Sequence, residues 1–154
     1  MKETDDLMPG TCHGRWMSPE YEPGLVSVII PTYNRAWCIT DAMDSVWAQT
    51  YRPIELIVVD DGSTDNTREV VERWGEEHSG DAQFKLRYFY QENRGAPAAR
   101  NLGLVESRGE FIQYWDSDDI MAAEKLSVQV HALLQYRTDL SLCQNAFFSS
   151  TPSS

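Results

Sequence analysis

Asp116-Ser117-Asp118-Asp119 sets three carboxylates within four residues, directly after the apolar run Phe111 to Trp115. Like charges packed this closely raise one another's pKa or splay the loop, unless a cation or several backbone donors compensate. With oxygen ligands and neither His nor Cys alongside, the fitting ion is Mg²⁺ or Mn²⁺. Such ions reach a protein through one or two carboxylates plus the phosphates of a substrate. The plainer reading is a helix N-terminus carrying acids that its dipole favours, and the spacing by itself leaves both open.

Three further polar clusters could do chemistry. Asp60-Asp61-Gly62-Ser63 closes another apolar run, where an acid can accept from a ribose hydroxyl or a base N–H. Ser63 and Asp65 read as caps of the helix that follows, but two adjacent acids at a strand end cannot both be caps. Asn93 to Asn101 combines Gly95, small residues and the guanidiniums of Arg94 and Arg100 near a helix start, which makes an anion cradle. Arg100 could equally pair with one of the crowded aspartates. Pro31-Thr32-Tyr33-Asn34 ends the first apolar run, and Tyr33 could stack on a base or simply pack. A dinucleotide oxidoreductase needs G-x-G-x-x-G at that place and is not indicated.

These clusters require elements that bring them to one rim. Leu25 to Ile30 and Ile54 to Val59 are short runs rich in Val and Ile, as expected of strands buried on both faces of a parallel sheet. Phe84, Leu86, Tyr88 and Tyr90 alternate with Lys85, Arg87 and Phe89, predicting a third strand near an edge, and Phe111 to Trp115 a fourth. Between them, Ile39, Ala42, Met43, Val46 and Trp47 form a helical stripe, and a Ser63 or Thr64 cap starts a helix burying Val70, Val71 and Trp74. Pro97 opens a helix whose inner face is Ala98, Leu102 and Val105. Met121 to Arg137 reads as a longer helix with Leu126, Val130, Leu133 and Leu134 inward, followed by a strand at Leu140 to Cys143.

Strands alternating with helices predict βαβ crossovers, hence a mostly parallel α/β sheet with helices on both faces. In such a sheet the ligand crevice lies beyond the carboxyl ends of the strands, where all four polar clusters fall. Residues 1–24 read as a flexible lead-in, residues 25–148 as one domain and residues 149–154 as a disordered tail.

Composition narrows the partners. A formal net charge of -11 argues against nucleic acid, whose phosphates are held mainly by Lys and Arg. Cys12, Cys38 and Cys143 show no C-x-x-C spacing, and no turn or helix spacing converges Cys12 and His13 with His78 and His131, so neither a disulfide framework nor zinc is indicated. No apolar stretch approaches the roughly 18 residues of a transmembrane segment, and the basic-then-apolar order of a signal peptide is absent. The expectation is a cytoplasmic protein, with peripheral association at the cytosolic membrane face open.

Taken in order, Val28-Ile29-Ile30-Pro31-Thr32-Tyr33-Asn34, Val58-Val59-Asp60-Asp61-Gly62-Ser63-Thr64-Asp65, Asn93 to Asn101 and Trp115-Asp116-Ser117-Asp118-Asp119 resemble the family 2 glycosyltransferases, from about Leu25 to about Leu134. The resemblance implies the GT-A fold, a Rossmann-like three-layer α/β/α arrangement, here incomplete at the C-terminus. It implies a nucleotide-diphosphate sugar, a UDP-sugar, as donor, and inverting transfer to a hydroxyl of a glycan, lipid or protein acceptor in glycan or polysaccharide biosynthesis. By that similarity Pro31, Thr32, Tyr33 and Asn34 line the donor site, and one of Asp60 or Asp61 accepts from the base. Asp116-Ser117-Asp118 looks like the family's DXD motif, with Asp116 toward the ribose or sugar, or on the metal, and Asp118 as the carboxylate on Mn²⁺ or Mg²⁺. Arg100 looks like the family's basic residue that faces the diphosphate.

Inversion also needs a general base, which in this family is a carboxylate well downstream of the DXD motif. Here the acids after Asp119 are Glu124, directly behind that loop, and Asp139, before the expected last strand. Neither suits the role, so no catalytic residue is identified. Donor binding is expected of this chain, and turnover is expected to need further sequence or a partner. A non-catalytic nucleotide-binding module or an inactive fragment is the alternative.

Overall fold

The computed structural model of the chain describes residues 20–143. Eight elements alternate: β1 (Glu22–Thr32), α1 (Ile39–Trp47), β2 (Ile54–Asp60), α2 (Thr67–Glu77), β3 (Phe84–Tyr90), α3 (Ala96–Glu106), β4 (Gly109–Tyr114) and α4 (Lys125–Tyr136). The strands form one sheet in the order β3-β2-β1-β4, with every pairing parallel. The chain therefore winds from β1 outward through β2 to β3, then returns past β1 to lay β4 on its other side. Beyond the carboxyl ends of β1 and β4 the order reverses, and at such a switch point the loops diverge and leave a crevice.

Alternation along β1 and β2 decides which side chains meet which helices. Val26, Val28, Ile30, Leu56 and Val58 face one side and pack against Ile39, Met43 and Val46 of α1, Val71 and Trp74 of α2, and Leu126 and Val130 of α4. Ile29, Ile57 and Val59 face the other side, where Ala99 of α3 seals them with Leu102 and Phe89 at the margin. Each fully buried aliphatic side chain here contributes about 1.5–3 kcal/mol relative to exposure, which is why the two central strands are apolar on both faces. The α/β/α layering follows, with three helices on one face and one on the other.

β4 is anchored through polar contacts. Buried Glu55 on β2 accepts from Ser27 Oγ at 2.5 Å and from the Arg108 amide at 2.6 Å, and Arg87 Nη1 stands 3.4 Å from its other oxygen. Ser27 Oγ in turn accepts the Gly109 amide at 2.8 Å. A carboxylate excluded from water costs stability unless its lone pairs are satisfied, and these donors fix where β4 begins.

The structure departs from the sequence expectations at several places. β1 starts at Glu22, inside the expected lead-in, because the Glu22 amide bonds the Arg108 carbonyl at 2.8 Å and pulls the strand back alongside Gly109, with a register shift before Val26. The buried positions of α3 are Ala99 and Gly103, while Val105 is 70% exposed. The helix lies too close to Ile29 and Val59 for larger side chains, so the small residues turn inward. The last helix begins at Lys125 rather than Met121, although Met121 itself is buried, and Leu134 is 62% exposed. Leu140 to Cys143 is not a strand, and Leu140 and Leu142 are exposed. The N-cap of α2 is Asn66 rather than Ser63 or Thr64. The remainder of the expected lead-in, residues 1–19, and the expected tail, 149–154, lie outside the described residues, as do Cys12 and His13.

Candidate functional site

One open cleft lies at the switch point between β1 and β4. Its walls are Pro31, Thr32, Tyr33 and Arg35 after β1, Asp61 after β2, Ala96 and Arg100 on the first turns of α3, and Asp116, Ser117 and Asp118 after β4. The tertiary structure thus gathers eight of the ten site residues picked from the sequence: Pro31, Thr32, Tyr33, Asp61, Arg100, Asp116, Ser117 and Asp118. Asn34 and Asp60 are not among the lining residues.

Their hydrogen bonds explain the separation. Asn34, at φ 52°, turns the chain out of β1, and its Oδ1 accepts the amides of Thr64 at 2.8 Å and Asp65 at 3.3 Å, capping the turn into α2. Asp60 is buried, with Oδ1 accepting the Ser63 amide at 2.8 Å and Oδ2 the Tyr88 hydroxyl at 2.7 Å. Burial, and then Asp60 itself as acceptor, push the Tyr88 phenol well above its usual range, so it stays a donor.

Asp61 does different work. Its Oδ1 accepts from Gln91 Nε2 at 2.6 Å and the Arg94 amide at 2.8 Å, and its Oδ2 accepts the Gly95 amide at 2.8 Å. Burial by itself would raise this carboxyl, but those bonds and the Arg94 charge outweigh it and hold the pKa below the ordinary value. Gly95 takes φ 89°, a conformation that suits a residue without Cβ, and delivers Pro97 to the first turn of α3. Asp61 thereby sets the position of Arg100 one turn on.

The acidic loop after β4 is held from both sides. Arg100 Nη2 meets Asp116 Oδ1 at 2.7 Å from the α3 wall, and Arg35 Nη2 stands 3.6 Å from Asp118 Oδ2 on the β1 wall. Buried Cys38 donates its thiol to the Ser117 carbonyl at 3.6 Å, and Trp115 Nε1 donates to the Asp119 carbonyl at 3.0 Å. Burial pushes the Cys38 thiol up, the nearby Arg35 opposing it. Partial burial first, and then the charges of Asp116 and Asp118, push the Asp119 carboxyl up, the second cause being the repulsion expected of three adjacent acids. Thr32 adds an unsatisfied group: among the described residues its Oγ1 is the buried side-chain polar atom with no partner. Buried hydroxyls rarely go unpaired, so this one stands out on a residue of the cleft wall.

Among the described residues no three His, Cys, Asp or Glu side chains converge to hold a metal by themselves. Asp116 and Asp118, as exposed hard-oxygen donors on the cleft wall, fit an ion that takes one or two carboxylates and completes its shell with ligand oxygens. Glu124 and Asp139 are not in the cleft: Glu124 is the N-cap of α4, and Asp139 lines a groove beside β4.

The residue pattern that defines Glycosyl transferase family 2 matches positions 27–153. The chain belongs to that family. An uncharacterised family relative, a glycosyltransferase of Rickettsia typhi, is 41% identical over 113 residues, 73% of this chain and 33% of its own length. Among eight curated glycosyltransferases that it matches, this family 2 chain spans between 14% and 43% of their length. Solved structures agree in fold: TarS of S. aureus in complex with UDP-GlcNAc superposes with a TM-score of 0.66 at 33% identity, covering 74% of this chain and 32% of that one. The mannosyltransferase PcManGT of Pyrobaculum calidifontis, in complex with GDP-Man and Mn²⁺, gives 0.67 at 33% identity, covering 79% and 36%. The α/β/α sheet is therefore that of the GT-A glycosyltransferases, as a partial copy.

Ala96 lies within the Asn93 to Asn101 stretch, whereas Arg35 is a wall residue that the sequence reading did not select. Arg35 directly follows the Pro31 to Asn34 motif, and a cation beside an acidic site in a chain of charge -11 was the available signal. Nothing in the spacing identified Cys38, Tyr88 or Gln91 as supports, since each meets its partner only across the fold. Among the described residues no helix is long and apolar enough to cross a membrane.

Proposed function

We propose that this chain binds a nucleotide-diphosphate sugar, a UDP-sugar, in the cleft between β1 and β4, as the donor half of an inverting glycosyltransferase. The observation that carries this reading is the convergence of Thr32, Asp61, Arg100, Asp116 and Asp118, from three strand ends and one helix start, on one open crevice. Thr32 and Tyr33 form the base side, with the free Thr32 hydroxyl and the exposed Tyr33 ring as contacts. Asp61, on the wall where Asp60 is not, is the acid that accepts from the base.

Asp116-Ser117-Asp118 acts as the DXD motif, with Asp118 as the metal carboxylate and Asp116 toward the ribose or sugar. Mn²⁺ or Mg²⁺, when bound, neutralises charge growing on the leaving diphosphate. Arg100 adds a planar donor pair on the same side, and Ser117, buried and held by Cys38, keeps the loop in place. The acceptor is a hydroxyl of a glycan, lipid or protein. Support for the donor class comes from the relatives solved with UDP-GlcNAc and with GDP-Man and Mn²⁺.

A binding module without turnover is the second reading, favoured by the positions of Glu124 and Asp139 outside the cleft. Calorimetric titration with UDP, with and without Mn²⁺, tests the donor site on the native chain and on Asp118→Ala. Metal-dependent binding that disappears in the variant is the expected result. A folded chain that takes up UDP under neither condition would overturn the assignment and leave the fold alone.

A further inference from the structure

We infer that Arg35 is a second diphosphate-binding residue of this cleft, and that its guanidinium guards Asp118 in the ligand-free protein and moves to the diphosphate when a divalent ion takes that carboxylate. The inference rests on the donor-site reading and extends it to a residue outside the motifs.

The backbone of Arg35 is fixed while its side chain is not. Its amide donates to Thr67 Oγ1 at 3.1 Å, and its carbonyl accepts from the amides of Cys38 at 3.0 Å and Ile39 at 2.9 Å, where α1 begins. Beyond Cβ the guanidinium has two weak attachments. One is Asp118, 3.6 Å away, with the two side chains 40% and 50% exposed. The other is the face of exposed Trp37, at 5.9 Å from the ring centroid. Exposed ion pairs of this kind contribute little to stability, so this one can be exchanged without unfolding anything.

Charge decides the direction of the exchange. A guanidinium is a donor-only cation, so it cannot share Asp118 with a divalent ion without like charges meeting. An ion on Asp118 repels Arg35 from a few ångströms away, and the diphosphate is the anion that enters the same cleft. Among the described wall residues the cations are Arg35 and Arg100, on opposite sides. Arg100 sits on Asp116 from α3 and Arg35 on Asp118 from the β1 loop, so the two planar forks bracket the place where phosphates would lie.

The test compares native chain, Arg35→Gln and Arg35→Lys, with Arg73→Gln at an exposed position of α2 as a surface-charge control, each confirmed folded by circular dichroism. Two affinities are read: Mn²⁺ alone, by the loss of the free-ion electron paramagnetic signal, and UDP at saturating Mn²⁺, by calorimetry. Arg35→Gln should bind Mn²⁺ more tightly, since its competitor is gone, and bind UDP about tenfold more weakly, the scale of one lost charge-assisted contact. Arg35→Lys should fall between, because it keeps the charge without the fork, and uridine should bind all forms alike. Native binding of UDP that is unchanged in Arg35→Gln overturns this inference and leaves the donor site standing. A native chain that binds no UDP removes the donor site and this role together.

Discussion

The carboxylate of Asp61 accepts the backbone N–H of Gly95 at 2.8 Å, tying the end of β2 to the turn that starts α3. With the Arg94 amide and Gln91 Nε2 on its other oxygen, this side chain organises the whole approach to Arg100. Asp61→Ala leaves those donors without their acceptor, and a buried unsatisfied donor costs about 1–3 kcal/mol. Urea unfolding should show a loss of that size, and the Arg100 side of the cleft should loosen with it. A variant as stable as the parent would mean that water replaces the carboxylate.

The same bonds predict a pH dependence. Asp61 is held below the ordinary carboxylate value, and so is Asp65, whose burial is outweighed by the hydroxyl and amide of Thr67 and the amide of Ala36. A depressed folded pKa means that the unfolded chain binds more protons, so stability from these groups is fully present above about pH 3.9 and lost as pH falls through their folded values. Urea midpoints at pH 7 and pH 3 should therefore converge between the parent chain and Asp61→Asn. A gap that stays constant would show that Asp61 acts through shape and not through charge.

Thr32→Val separates binding from folding. The substitution keeps the shape and deletes a buried hydroxyl that has no protein partner, so it should leave stability unchanged or raise it by about 1 kcal/mol. UDP affinity at saturating Mn²⁺ should fall by roughly tenfold, the scale of one hydrogen bond. Equal affinity would place the ligand elsewhere along the cleft.

Gly103→Ala sets two effects against each other. In an exposed helix interior the change would stabilise by about 1 kcal/mol through propensity. Here the added Cβ would fall well inside contact with Ile29 Cγ2 and lie 3.3 Å from Val59 Cγ2, both on fully buried β-branched residues with little freedom to turn. Overpacking of this kind costs about 1–3 kcal/mol, so a net loss is expected in thermal unfolding. A rise in melting temperature would show that α3 can lift off the sheet.

Much of this protein was legible in local pattern. The Val and Ile runs at β1 and β2 declared themselves because strands buried on both faces are mostly apolar, with only Ser27 and Glu55 interrupting them, and the apolar stripes of α1 and α2 followed the helical period. The acids and motifs at the strand ends were visible as types and spacings, and so was the resemblance to family 2. Short-range chemistry also hinted at crowding in Asp116 to Asp119, which the raised Asp119 carboxyl reflects.

What only the tertiary structure decided was which of those groups face one another. Asp60 and Asp61 are adjacent and chemically identical, yet one is consumed by Ser63 and Tyr88 and the other lines the cleft, because alternation along the chain end sends them to different partners. Asn34 does not line the cleft, and its Oδ1 instead caps a turn by accepting amides about 30 residues away. The inner face of α3 turned on the depth of its approach to Ile29, which no periodicity contains. Arg35 and Asp118, 83 positions apart in sequence, meet because β4 returns to the far side of β1, and that crossover is a property of the whole sheet and not of either segment.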